Sequence, residues 1–348
     1  MNYAPQKVII AKAFGGPEQL ECIETVPLVP RSGEVVIDLK CIGMNQADLM
    51  ARRGEYRLSS GAPPFTPGIE GGGVISVVGE GVNNRHVGER VILTMGAPVG
   101  KGTYRSQFLA KVEETLPLPK GISDELMGAL WLPFLTAWGA LVWRQGIQPG
   151  QVVMLPAASS SVAIAASQIA KQQGCITIGV TTSPEKVQAL KQSEIAKYDY
   201  LLVTNKSTES KQIDTVSEAQ PWWRLVKKIT NGKGVDVILD PVAAGEFLNT
   251  EIRLLAQGGT LWVYGLLGQP DTVDVSPLIR KNAAIRGWLL NSLAGTSAEH
   301  TGYQHILQQV SAGNYRLPIA GKFALHHAQQ AQTEMEKGKH IGKYILQP

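Results

Sequence analysis

A change of texture near Gly150 constrains this chain more than any other feature of its sequence. Before it, short strand-like runs at 35–40, 73–78 and 90–94 are separated by Gly- and Pro-rich turns at 30–33 and 79–81, an all-β pattern. After it, apolar runs at 152–155, 176–181, 200–203, 235–239 and 260–264 alternate with helical patterns near 161–173, 184–192, 222–230 and 245–255. Strands alternating with helices predict a parallel sheet covered by helices, with all strand carboxyl ends, and hence the ligand crevice, along one edge. After about Pro277 short strands return, with one late helix at 326–337 and a terminal strand at 343–346. The expectation is an α/β chain of two domains: a β-rich domain from 1–127 and 280–348, and a doubly wound domain from 128–279.

Composition narrows the function classes. With 348 residues the chain can bury two separate cores. Its 33 basic and 29 acidic residues are scattered, so no nucleic-acid partner is expected. Cys22, Cys41 and Cys175 are far apart and odd in number, which offers neither a disulfide framework nor a metal knuckle and predicts a cytoplasmic protein. The early apolar run at 8–11 is too short for a signal peptide. Residues 126–143 carry no charge and reach the lower limit for a membrane span, but Pro133 and the Gln145-Gly146 turn predict buried helices, and no membrane partner is expected. The polar stretch 206–220 reads as a surface insertion.

The first strand of the α/β region runs into Pro156-Ala157-Ala158-Ser159-Ser160-Ser161-Val162-Ala163, a turn of small residues that opens a helix. Unpaired N–H groups and the positive end of the helix dipole bind anions there, so a pyrophosphate is expected against Ala157, Ser159, Ser160, Ser161 and Val162. Serine and alanine stand where the usual fingerprint has glycine, which weakens the motif by itself. The second strand ends in Thr181, Thr182 and Ser183 with Lys186 one turn on, and no carboxylate waits to grip a ribose hydroxyl. Hydroxyls and an ammonium suit a 2′-phosphate, so the expected cofactor is NADPH; the same residues also suit a helix cap and a solvent-facing lysine. Asp240, at the end of the fourth strand, and Gly265 complete the cofactor set.

Motifs spread over nearly the whole chain carry a resemblance. They are Phe14-Gly15-Gly16-Pro17-Glu18, Gly43-Met44-Asn45-Gln46-Ala47-Asp48, Pro67-Gly68-Ile69-Glu70-Gly71-Gly72-Gly73-Val74, Val87-Gly88-Glu89-Arg90-Val91 and Leu135-Thr136-Ala137-Trp138, followed by the serine-rich turn, Asp240-Pro241-Val242, Gly258-Gly259-Thr260 and Ile341-Gly342-Lys343. On these the chain resembles the medium-chain dehydrogenase/reductase superfamily, and within it the zinc-independent quinone oxidoreductases and enoyl reductases. The resemblance implies a GroES-like catalytic domain and a Rossmann nucleotide-binding domain. Zinc-dependent relatives place ligands where this chain has Asn45, Ile69 and Leu132, so no metal is expected. In zinc-free relatives hydrogen bonds polarise the substrate, and the matching residues are Asn45, Asp48 and Tyr56, with Thr136 at a position that contacts the nicotinamide. Asn45 and Asp48 equally suit a helix start, and Tyr56 an ordinary loop tyrosine. The implied activity is NADPH-dependent reduction of a quinone or α,β-unsaturated carbonyl, a small-molecule acceptor. A 2-enoyl thioester reductase and a non-catalytic, crystallin-like NADPH-binding protein are the alternatives. Relatives are usually homodimers that pair edge strands, for which 260–267 is the expected segment.

Overall fold

A computed structural model describes residues 5–56, 61–204 and 221–348, so the expected insertion at 206–220 lies outside the described residues. In chain order the strands are β1 (Gln6–Ala11), β2 (Leu20–Thr25), β3 (Glu34–Gly43), β4 (Gly72–Val78), β5 (Arg90–Leu93), β6 (Gln107–Lys111), β7 (Thr115–Pro117), β8 (Val152–Pro156), β9 (Ile176–Thr181), β10 (Tyr200–Val203), β11 (Val235–Asp240), β12 (Leu255–Val263), β13 (Ala284–Gly287), β14 (Ile319–Ala324) and β15 (Lys343–Gln347). The chain divides into two compact units, Met1–Pro133 with Ala294–Pro348, and Phe134–Leu293.

In the second unit six strands lie in the order β10-β9-β8-β11-β12-β13, and every adjacent pair is parallel. All five residues of β8 are buried, as a strand covered by helices on both faces requires. The strand order reverses between β8 and β11, and a doubly wound sheet opens its ligand crevice at such a reversal, beyond the strand carboxyl ends. Ala163, Ala165, Ala166 and Ala170 are all buried on the helix Ser161–Gln172, where small side chains let it lie close to the sheet. Ile178, Val180, Val226, Ile238, Ile252 and Leu261 form the centre of this core.

Two features of this unit depart from expectation. β12 begins at Leu255, directly after the helix Gly245–Leu254, rather than near 260, because Gly258 with φ of +73° lets the chain turn within the strand. β13 is a sixth strand that periodicity missed; it is four residues long and only half-buried or exposed, too short and too polar to register. The segment 260–267 is therefore not a sheet edge. Through Val263 it is hydrogen-bonded to β11 on one side and β13 on the other.

In the first unit β3 is the spine. It pairs antiparallel with β4, β6 and β15, and the last of these contacts sets Ile345 opposite Gly43. The C-terminal strand thus brings Lys343 next to the loop that follows β3. Ile9, Val35, Ile37, Leu39, Ile42, Leu49 and Phe108 make the core beneath this sheet. The helix Ser297–Ser311 was not anticipated. Its buried residues Ala298, Gly302, Tyr303, Ile306 and Leu307 have helical spacing, but Gly302 and the intervening Gln and His side chains dilute the signal.

The uncharged stretch 126–143 is largely buried and contains the helix Trp131–Trp138 and a wider turn, Gly139–Arg144. Pro133 lies in the first helical turn, where its missing N–H would have had no partner, so the helix forms around it. Among the described residues no helix is long and apolar enough to cross a membrane.

Candidate functional site

In the first unit a buried polar cluster gathers around Asn45. The helix Gln46–Arg53 starts there, and Asp48 accepts a hydrogen bond from the Asn45 N–H at 2.8 Å, the reciprocal half of a capping box. Tyr104 O–H donates to the same oxygen at 3.1 Å. The Asn45 side chain turns the other way. Its amide nitrogen donates to Gly43 C=O at 3.2 Å and Glu70 Oε1 at 3.1 Å, and its oxygen accepts from Lys343 Nζ at 2.5 Å. Lys343 also forms an ion pair with Glu70, both side chains being almost wholly buried. Gly43 makes room for this, since a Cβ there would strike Glu70 Oε1. Burial pushes the Asp48 carboxyl up to about 7, against the opposing pull of the Asn45 N–H, Lys343 and Tyr104.

This arrangement brings Asn45 and Asp48 together, but both amide protons of Asn45 are already engaged inside the unit. Zinc does not fit here. Asn45 carries a neighbouring ammonium that would repel a cation, and Ile69 and Leu132 offer no donor atom. Among the described residues no group of three or more His, Cys, Asp or Glu side chains is placed to hold a metal ion. Tyr56 lies apart from this cluster in sequence, two residues beyond Gly54, whose φ of +81° ends the helix. It is half-buried, and burial raises its phenol pKa, so it stays protonated at neutral pH.

In the second unit β8 leads into the serine turn. Ala157 has φ of +50°, Ala158 N–H donates to Val180 C=O at 3.0 Å, and Ser160 N–H closes the turn on Ala157 C=O at 2.8 Å. Ser160 caps the helix Ser161–Gln172 by accepting from Ala163 N–H at 3.2 Å. Ser161 and the half-buried Val162 form its first turn, where backbone N–H groups face outward without helical partners. Lys186 Nζ donates to Ser159 Oγ at 2.9 Å, tying the helix Pro184–Gln192 to this turn; burial lowers the lysine pKa. Ser183 caps that helix through Lys186 N–H at 3.2 Å and donates to Glu185 at 2.6 Å, while Thr181 is buried and Thr182 exposed. The turn, Lys186 and the end of β9 therefore come together.

The other expected residues sit deeper in the same unit. Asp240 is buried, and its two oxygens accept from Val242 and Ala243 N–H at 2.7 Å each, so it shapes the bend after β11. Burial raises its pKa. Gly265 packs against Pro241, where a Cβ would come within 2.9 Å of the carbonyl oxygen. Thr136 is buried in the helix Trp131–Trp138, and its carbonyl accepts from the Trp288 indole at 2.9 Å. Sequence reasoning passed over Glu70, Tyr104 and Lys343. Glu70 and Lys343 stand in their motifs as single charges among Gly and apolar residues, which is the pattern of a buried pair.

Residues 161–309 match the family described as zinc-binding dehydrogenase, and residues 31–120 the alcohol dehydrogenase GroES-like domain. The chain is 30% identical over 339 residues to the quinone oxidoreductase of Rattus norvegicus, spanning 96% of this chain and 95% of that protein. To the synaptic vesicle membrane protein VAT-1 homolog of the same species it is 28% identical over 366 residues, 99% and 84% of the two lengths. Among solved structures, the Escherichia coli quinone oxidoreductase complexed with NADPH matches with a TM-score of 0.82 and 26% identity over 98% of this chain and 100% of that one. The chain belongs to the medium-chain dehydrogenase/reductase superfamily of oxidoreductases, with a GroES-like domain followed by a Rossmann-type domain. Within that superfamily its likeness is to the zinc-independent quinone oxidoreductases.

Proposed function

We propose that this protein is a zinc-free, NADPH-dependent reductase that transfers hydride to a quinone or an α,β-unsaturated carbonyl. The observation that carries the cofactor choice is Lys186, held at 2.9 Å from Ser159 beside the phosphate turn, with no carboxylate at the end of β9. An ammonium there favours an anionic ribose substituent, and a carboxylate would repel it. The N–H groups of Ser161 and Val162 and the hydroxyls of Ser159 and Ser160 would hold the pyrophosphate, with Thr181, Thr182 and Ser183 lining the ribose side. Ala157, Asp240 and Gly265 give the backbone its close approach. Likeness to a quinone oxidoreductase that binds NADPH supports the same choice.

When bound, reduced nicotinamide supplies two electrons and a proton as hydride. Negative charge then builds on the acceptor oxygen, and Tyr56, a protonated phenol, would donate to it and replace its own proton from solvent. Asn45 and Asp48 act through structure in this reading, by fixing the start of the helix that leads to Tyr56. Thr136 would contact the nicotinamide. Purified protein is expected to oxidise NADPH, followed at 340 nm, with quinones or enones and to use NADH poorly; no turnover of any acceptor in such a panel would overturn the activity. Lys186→Ala is expected to raise KM for NADPH by roughly 10- to 100-fold, the worth of one charge-assisted hydrogen bond, and to leave KM for NADH nearly unchanged.

A further inference from the structure

The phosphate turn has lost the glycines that would let it adopt its shape freely, and Ala157 sits in the left-handed region at φ of +50°. Something else must hold it. Tyr198, between the helix Pro184–Gln192 and β10, donates its hydroxyl to Ala158 C=O at 2.7 Å. Its ring lies over Gly179 in β9, where a Cβ would come within 2.9 Å of two ring carbons, so that glycine gives the phenol its path to the turn. Burial raises the Tyr198 phenol pKa well above its usual value, with a further push from the neighbouring Tyr264. Tyr198 therefore remains a neutral donor. It thus holds the carbonyl just before Ser159, in the turn that leads to the N–H groups assigned to the pyrophosphate.

We infer that Tyr198 is a positioning residue for the dinucleotide: it fixes the glycine-poor turn from within the protein, so that the turn's N–H groups point outward before the cofactor arrives. It touches no cofactor atom in this assignment. The inference rests on the proposed nucleotide site in the second unit, and it concerns preorganisation, the entropy that binding no longer has to supply.

Binding of NADPH and of NADH to the purified full chain by calorimetry, with steady-state kinetics beside it, tests this. Tyr198→Phe keeps the ring and removes only the hydroxyl. It is expected to weaken binding of both nucleotides by roughly 2- to 13-fold, the range for a lost neutral hydrogen bond, and to raise KM alike. The kcat at saturating NADPH should stay within about twofold, because chemistry begins only from the bound state. Loss for both nucleotides separates this role from that of Lys186, whose removal is expected to act on NADPH alone. If the variant fails to fold by circular dichroism, Gly179→Ala, whose Cβ would press on the Tyr198 ring and shift its hydroxyl from the turn, carries the same expectation. Unchanged nucleotide affinity in either variant, once folded, would overturn the inference while leaving the proposed function standing. A wild-type chain that binds neither nucleotide would overturn both.

Discussion

At the scale of single residues, the cluster around Asn45 shows how far burial can outweigh hydrogen bonding. Asp48 accepts from one N–H and one O–H, yet its carboxyl is pushed up to about 7 because it is fully shut off from water. An acid whose folded pKa exceeds its unfolded value of about 3.9 binds its proton more tightly in the folded state. Its contribution to stability is therefore present at low pH and is lost as pH rises from about 4 to about 7, then levels off. Asp48→Asn is expected to flatten that part of the stability curve, measured by urea unfolding at a series of pH values; an unaltered slope would contradict the assignment. The ion pair beside it makes a different prediction. Lys343→Met strands Glu70 as a buried charge and is expected to cost about 3–5 kcal/mol, whereas Lys343→Met with Glu70→Gln should recover much of it. The sequence made Asn45 and Asp48 visible as site residues because they sit in a recognisable motif. It hid what they bond to, since Lys343 lies 298 positions away and only the pairing of β15 with β3 brings it there.

Among the elements, legibility followed periodicity. The strands β9 and β10 and the helix Pro184–Gln192 fall where apolar runs and the Ser183-Pro184 cap predict them, because each is long or punctuated enough to dominate its window. β13 and the helix Ser297–Ser311 escaped for want of that contrast. The helix Gly245–Leu254 carries a feature no periodicity reveals. Glu251 lies on its buried face beside Asp240, with no exposure to solvent, and burial together with the like charge raises its pKa well above the usual carboxylate range. Two carboxyl groups so placed cannot both ionise without cost, so the pair retains a proton at neutral pH. Holding that proton costs stability increasingly as pH rises above the unfolded value of about 4.3. Glu251→Gln, of nearly the same shape, is expected to stabilise the protein at pH 8 by on the order of 1–3 kcal/mol and to have little effect near pH 4. Thermal unfolding at the two pH values checks this, and equal effects at both would exclude the shared proton.

For the molecule as a whole, the parallel sheet raises the question of what closes its ends. Its β13 end is bonded on one side only among the described residues, and an open row of N–H and C=O groups invites pairing. The surrounding stretch also exposes apolar side chains: Ile279 is 81% exposed, and Val275, Leu266, Leu267 and Leu289 are about half so. A second copy of the chain would satisfy both at once, because a two-fold axis beside β13 sets one open edge against the other and lays the same apolar residues face to face. The homodimer proposed from resemblance thus moves from 260–267, which is hydrogen-bonded on both sides through Val263, to Ala284–Gly287 and its neighbours. Sedimentation equilibrium is expected to give a dimer for the wild type. Ile279→Glu, which places a charge in that apolar stretch without touching the hydrogen-bonded strands, should shift the mass toward the monomer. A wild-type monomer at tens of micromolar, or a dimer indifferent to this substitution, would mean that the exposed edge is guarded in some other way.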